Sequence, residues 1–350
     1  MKIIYIASSI SIHSLRWIKY FAKKNSIIWI TFSRPNKETY KEYIELNKFI
    51  EIYNFKNIKD FFKIIFILLL SKYKLVHIHY LGWHSLLSLF IRPNKKIILT
   101  PWGSDLLKTK FFLKKIWLRY LFKRSFYTIC DSERLKNKAI SIGADKNKIS
   151  ILMFGIDTNS YKKSREIFTS NKIIIGSNRK LESIYDIDTF LKAAKNLIYS
   201  KKNIDFFIAG DGSLRKKYEN FIVENKLSSR IKFLGLLNKQ EMLKFYDSID
   251  IYISCSLSDG GLSSSIAEAM SFERVIIITK NSDNEIWVKD GVNGYLFCNR
   301  DHEELELIIN KIISYKNENK KIAIAARKLI EKRYSYKIEM NKVQKIYDKC

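Results

Sequence analysis

Proline is scarce in this sequence, with 3 in 350 residues, and glycine is thin at 12. Those two counts exclude a collagen-like repeat and a proline- or glycine-rich disordered chain. Cysteine is sparse as well: Cys130, Cys255, Cys298 and Cys350 show no CxxC spacing and have no histidine cluster beside them. Neither a zinc site nor a disulfide framework is indicated, which suits a reducing cytosol. Long apolar runs are missing too. The longest, Phe61 to Leu70, is broken by Lys63 and falls short of the ~18 residues a membrane-crossing helix needs. The opening MKIIYIASS reads as a first buried strand, and its apolar run is too short for a signal peptide.

Acidic residues are outnumbered, 35 Asp+Glu against 63 Lys+Arg, for a net charge of +28. The excess is uneven: residues 1–160 carry 29 basic and 10 acidic side chains, net +19, and residues 161–350 carry 34 and 25, net +9. Lys, Asn and Ile dominate as in an AT-rich coding sequence, so solvated lysines are the plain alternative to function. A basic face otherwise attracts anionic lipid or nucleic acid. The stretch Lys108 to Arg124 interleaves its lysines and arginines with Phe111, Phe112, Ile116 and Trp117, a pattern suited to a membrane surface.

Apolar residues make up 47%, enough for globular cores, and the length allows two of them. Short apolar runs at Ile3–Ile6, Ile27–Phe32, Val76–His79, Ile97–Thr100, Phe126–Cys130 and Ile149–Met153 read as strands. Amphipathic segments such as Ser14–Lys24 and Phe111–Phe122 lie between them and read as helices. The pattern restarts with Ile173–Gly176, Phe206–Ala209, Ile231–Leu234, Ile251–Ser254 and Val275–Thr279, after a polar, aperiodic linker at 157–172. Alternating strands and helices predict an α/β fold of two Rossmann-like, doubly wound domains facing each other across a ligand cleft. The expected domains are 1–160 and 161–350, with the last helix packing back on the first.

Ser254–Met270, SCSLSDGGLSSSIAEAM, is the most informative segment. A strand ends at Ser254, a Gly-containing loop follows, and a helix begins near Ser263–Ser265. Backbone N–H groups at a helix start bind phosphate, aided by the helix dipole. Glu268, about one turn inside, is placed to accept hydrogen bonds from ribose hydroxyls.

This segment resembles the donor-site signature of the retaining GT-B glycosyltransferases of the bacterial lipopolysaccharide and capsule type, the group 1 enzymes. That family has two glutamates eight positions apart, the second followed by Ala-Met. Glu268-Ala269-Met270 matches the second, whereas Gly260 stands at the first with Asp259 beside it. Further landmarks follow in the family's order. Ala209-Gly210-Asp211-Gly212 resembles its GDG turn, and Glu285 with Asp290-Gly291-Val292-Asn293-Gly294 the segment that closes the donor pocket. Gly176-Ser177-Asn178-Arg179 falls where members carry Gly-Arg, and Tyr185 lies where a Lys is usual. Thr100-Pro101-Trp102-Gly103-Ser104-Asp105 resembles a loop that reads His-Gly-Ser-Asp, with Trp102 in place of the His.

The resemblance implies a glycosyltransferase that retains anomeric configuration and transfers from a nucleotide-sugar, UDP-linked before GDP-linked. The acceptor would be a glycan or a lipid-linked glycan of the cell surface. It implies Arg179, Lys180, Asp259 and Glu268 in catalysis, and Gly210, Asp211, Gly212, Gly260, Gly261, Leu262, Ser263, Ser264 and Glu268 at the donor. It places the acceptor near His13, Arg16, His79, Trp102 and Asp105. No metal or cofactor is implied. The expected location is cytoplasmic, with an anionic membrane surface as a partner. Two rivals compete on composition. A dinucleotide-dependent oxidoreductase would need GxGxxG after Ile3–Ile6, where Ala7-Ser8-Ser9 stands. A basic nucleic-acid-binding or non-transferase nucleotide-binding protein with tandem Rossmann domains suits the charge, but no RNP, KH or zinc-finger pattern is present.

Overall fold

Runs of Ile, Val and Leu with no polar alternation suit strands buried on both faces, and such strands pair in parallel. The computed structural model describes every residue except Glu38, Lys108, Lys110, Lys201, Lys202, Asp259–Gly261, Ser282 and Asp283. The chain divides into two compact units, Met1–Gly155 with Lys337–Cys350, and Ile156–Tyr336. The change of unit therefore comes at 155/156 rather than 160/161, and almost all of the last helix, Tyr336–Asp348, counts with the first unit.

In the first unit the strands are β1 (Lys2–Ile6), β2 (Ser26–Thr31), β3 (Glu51–Asn54), β4 (Leu75–His79), β5 (Lys96–Thr100), β6 (Tyr127–Cys130) and β7 (Ile149–Ile151). They form one parallel sheet in the order β3-β2-β1-β4-β5-β6-β7. The second unit holds β8 (Ile173–Ser177), β9 (Ile204–Ala209), β10 (Ile231–Gly235), β11 (Ile251–Ser254), β12 (Val275–Thr279) and β13 (Tyr295–Phe297). Its order is β10-β9-β8-β11-β12-β13, again parallel. Both sheets reverse direction once, between β1 and β4 and between β8 and β11. Loops leaving the carboxyl ends of those strands diverge, which opens a crevice there.

Alternation along each strand sorts the side chains of the first unit. Ile4, Ile6, Val76, Ile78, Ile97 and Leu99 share a core with Ile64 and Leu68 of the helix Ile58–Leu70, Leu87 of the 3-10 turn Trp83–Phe90, and Leu118 of the helix Phe112–Arg124. Right-handed crossovers put all three connections on that face. Tyr5, His77 and His79 point the other way, toward Trp17 of the helix Ile12–Ala22 and Tyr347 of the last helix. Two short edge strands, β3 and β13, escape sequence reading: β3 mixes polar and apolar residues, and β13 is only three residues long. Among the described residues no helix is long and apolar enough to cross a membrane.

Candidate active site

At the switch point of the second sheet, β8 delivers Asn178 and Arg179 while β11 leads toward the helix Ser264–Ser271. Ser263 caps that helix, its hydroxyl accepting from the Ile266 amide. The Arg179 guanidinium is buried and donates through Nη1 to the Ser265 hydroxyl at 2.8 Å. It also lies over the Tyr185 ring, 4.6 Å from its centre. Tyr185, found where a lysine was expected by resemblance, thus holds the guanidinium flat by a cation–π contact. Ser263 and Ser265 hydroxyls stand 3.1 Å apart. A guanidinium, two hydroxyls and a helix amino end make a preorganised anion site.

Glu268 follows one turn in, buried like its neighbours. The Tyr246 hydroxyl donates to Glu268 Oε2 at 2.9 Å and accepts from Asn178 Nδ2 at 2.7 Å. Burial and the adjacent carboxylate push the Tyr246 phenol well above its ordinary range, so it stays a donor. One carboxylate is therefore aimed by a tyrosine that a β8-loop asparagine aims in turn. Nothing in the sequence marks Tyr246, which lies in the helix Lys239–Ser248. Only the fold brings it here.

The GDG turn supports this site from behind. Gly210, at φ +123°, has the Arg179 carbonyl 2.4 Å from where a Cβ would sit, and Gly212 has the Leu181 carbonyl at 2.5 Å. Backbone bonds join the two segments: Leu181 N to Asp211 O at 3.1 Å and Leu214 N to Leu181 O at 2.9 Å. The turn's glycines let it lie against the Arg179–Leu181 backbone. Asp211 itself is exposed, accepts from the Gly212 amide and stands 3.8 Å from Arg215.

Other expected residues fall as follows. Lys180 is exposed, beside Arg179 in the chain. Leu262 is buried, and Ser263 and Ser264 are half-buried at the helix start. Asp259, Gly260 and Gly261 lie outside the described residues. The 290–294 turn is closed on itself, with Asn293 bonded to Lys289 N and Trp287 O and Asp290 to Leu296 N. Asp186 and Asp188 have a spacing that can serve a cation, but Asp186 accepts from Thr189, and Asp188 from Lys217 and Tyr218.

In the first unit, the carboxyl edge at β1, β4 and β5 carries a dense aromatic cluster. His13 lies 4.7 Å from the Phe154 ring and 5.4 Å from Trp102, and Trp17 sits 5.2 Å from His79 and 5.8 Å from Trp102. His77 is hydrogen-bonded on both sides, to Tyr347 Oη at 2.5 Å and Thr100 Oγ1 at 2.7 Å, and Tyr347 Oη meets Tyr5 Oη at 2.6 Å. His79 Nδ1 pairs with Ser14 Oγ at 2.9 Å. Among the described residues, four buried ring nitrogens of this cluster have no hydrogen-bond partner: His13 Nδ1, Trp17 Nε1, His79 Nε2 and Trp102 Nε1.

Desolvation keeps these imidazoles neutral. It lowers His77 well below its ordinary value, His79 to about 3 and His13 to about 4, with Arg16 adding repulsion at His13. Asp105 is almost fully buried, and its oxygens accept from Leu81 N at 2.7 Å and Trp102 N at 3.1 Å. It clamps the loop after β5 to the end of β4 and sets the position of Trp102. Burial pushes its carboxyl up.

A parallel-sheet unit with a buried guanidinium and a helix start at its switch point is an architecture in which α/β proteins can hold an anionic ligand. Residues 157–329 match the family described as Glycosyl transferases group 1, and residues 2–132 match Glycosyl transferase 4-like. Both units of the chain are thus matched by glycosyltransferase family models, the second by group 1 and the first by the 4-like model. An uncharacterised glycosyltransferase of Methanocaldococcus jannaschii is 26% identical over 271 residues, 73% of this chain and 69% of that protein. The amylovoran biosynthesis glycosyltransferase AmsK of Erwinia amylovora is 22% identical over 234 residues, 65% of this chain and 58% of that one. The structure of Anabaena HepE in complex with UDP and glucose superposes over 100% of both chains at a TM-score of 0.80 and 17% identity. The fold is thus GT-B, and the oxidoreductase and non-transferase readings fall away.

Proposed function

We propose that this glycosyltransferase takes a sugar from a nucleotide diphosphate donor and transfers it with retention of configuration. The observation that carries the reading is the meeting of Arg179 with Ser265 at the start of the helix Ser264–Ser271, one turn before Glu268. Negative charge grows on a departing diphosphate, and fixed donors aimed at it lower the barrier most. Arg179, the first-turn amides and the Ser263 hydroxyl would hold the diphosphate, with Lys180 beside them. Glu268, oriented by Tyr246, would take the ribose hydroxyls. Asp259 is proposed as the replacement for the family's first carboxylate.

Because HepE holds UDP and glucose, UDP-glucose is the first donor to test, and GDP-sugars come second. The acceptor is proposed to be a glycan or lipid-linked glycan in cell-surface polysaccharide synthesis, as AmsK's amylovoran role suggests. Trp102 and His13 supply aromatic surfaces for sugar rings, and His79 and Arg16 polar neighbours. The work would be done at the cytoplasmic face of an anionic membrane. Hydrolysis of UDP-, GDP- and ADP-sugars, with the product anomer read by NMR, tests this. Release of the donor's own anomer from a UDP-sugar is expected. An inverted product would overturn retention, and cleavage confined to GDP- or ADP-sugars would overturn the donor assignment.

A further inference from the structure

The three connections on one face of the first sheet bury only half of their apolar side chains. Along the helix Ile58–Leu70, Ile64, Ile67 and Leu68 face the core, whereas Ile58, Phe62, Phe66, Leu69 and Leu70 face solvent, Phe62 and Phe66 each 64% exposed. The exposed set recurs every three to four residues, so it is a second stripe on the same helix. The 3-10 turn repeats this at a period of three, with Trp83, Leu86 and Leu89 outward. Phe112, Leu113, Ile116 and Tyr120 do the same on the helix Phe112–Arg124, with Leu113 at 78%.

These elements are neighbours. Phe61 meets Phe90 ring to ring at 6.1 Å, and Trp117 Nε1 donates to Ser85 Oγ at 2.9 Å. Their outward stripes therefore belong to one surface, rather than being the scattered exposed side chains of an ordinary protein. Its charge is one-sided. Lys59 and Lys63 on the first helix, and Lys114, Lys115, Arg119 and Lys123 on the third, face a single carboxylate, Asp60. Asp60 is itself spent on the amides of Lys56 and Asn57.

We propose that this face inserts its aromatic and aliphatic side chains into the acyl boundary of an anionic bilayer, with its lysines among the headgroups. A polyanionic, apolar-cored surface satisfies both features at once. A second copy would satisfy only one, since two such faces would set like charges against each other. The inference deepens the membrane part of the proposed function and is independent of donor and anomeric outcome. It also extends the surface beyond the Lys108–Arg124 stretch, to the helix Ile58–Leu70 and the 3-10 turn Trp83–Phe90.

The test is flotation of the full chain with phosphatidylglycerol and with phosphatidylcholine vesicles, in low salt and in about 1 M salt, where the Debye length is ~3 Å. Phe62→Ser/Phe66→Ser and Phe112→Ser/Leu113→Ser are compared with wild type, with UDP-sugar binding measured alongside. Wild type should float with phosphatidylglycerol and stay substantially bound in high salt. Each double variant should lose about tenfold or more in partitioning, given ~0.8 kcal/mol per inserted methylene, while keeping nucleotide affinity. Brominated lipid should quench wild-type fluorescence, and Trp83→Phe should remove most of that quenching.

Complete release in high salt with unchanged variants would reduce attachment to charge and overturn insertion. No flotation at all, or dimers abolished by the same substitutions without vesicle binding, would overturn the proposal outright. Vesicle binding without any nucleotide-sugar binding would sink the donor reading and leave this one standing.

Discussion

Lowering the pH from 7 to 5.5 should destabilise the first unit markedly. His13, His77 and His79 are held neutral by burial, with folded values of about 4 for His13, about 3 for His79, and well below 6.5 for His77. In the unfolded chain each titrates near ~6.5. Between those limits the unfolded state binds more protons, so stability falls as pH falls. Each of these histidines contributes about 1.3 kcal/mol between pH 7 and 5.5, the three together about 4 kcal/mol, and His84, also lowered by burial, adds to the trend. For a unit of this size that is a melting-temperature drop of roughly 8–16 °C. Asp105 and Glu339 oppose the trend, because burial raises both carboxyls, and so the window stops above the carboxylate range. Calorimetry across this window at fixed ionic strength is the assay. His79→Gln, which cannot titrate, should be less stable at pH 7 yet lose about a quarter to a third of the pH slope. A transition that moves by less than about 3 °C, or an unchanged slope in His79→Gln, would refute the neutral-histidine account.

Arg179→Lys should cost turnover, about tenfold to a hundredfold, with little change in melting, since an ammonium cannot bond Ser265 and lie flat on Tyr185 together. Near-normal turnover in single-turnover assays would remove Arg179 from the leaving-group site. Glu268→Ala should weaken nucleotide binding by about 1–3 kcal/mol, and Tyr246→Phe by less, because it frees rather than deletes the carboxylate. Titration calorimetry with UDP checks both, and equal affinity across all three proteins would defeat the ribose assignment. Gly212→Ala should destabilise the second unit by about 2–4 kcal/mol, because the new methyl meets the Leu181 carbonyl at 2.5 Å. A stable variant with full turnover would show that the turn does not support the Arg179 loop.

Much of this protein is legible without coordinates. Eleven of the strands announce themselves as short, mostly apolar runs rich in branched residues, because a parallel strand buried on both faces favours them. The Ser263–Met270 segment declares its helix start through a serine cap, since capping is a local property of a few consecutive residues. Of the short edge strands, β3 stays hidden because an edge tolerates polar residues, and β13 because three residues make too short a run to stand out.

The partners of those landmarks are decided in three dimensions. Tyr246, 22 positions from Glu268, orients it. Tyr185 takes up the Arg179 guanidinium, where family resemblance suggested an absent lysine. The last helix returns Tyr347 to His77, 270 positions away. Exposure behaves the same way: Phe62 and Ile64 are equally apolar in sequence, and only the packing of their helix on the sheet leaves one in solvent and the other in the core. Local periodicity and capping are written in neighbouring residues and can be read directly. Contacts between distant segments depend on which faces the sheet brings together, and that order appears only once the chain has folded.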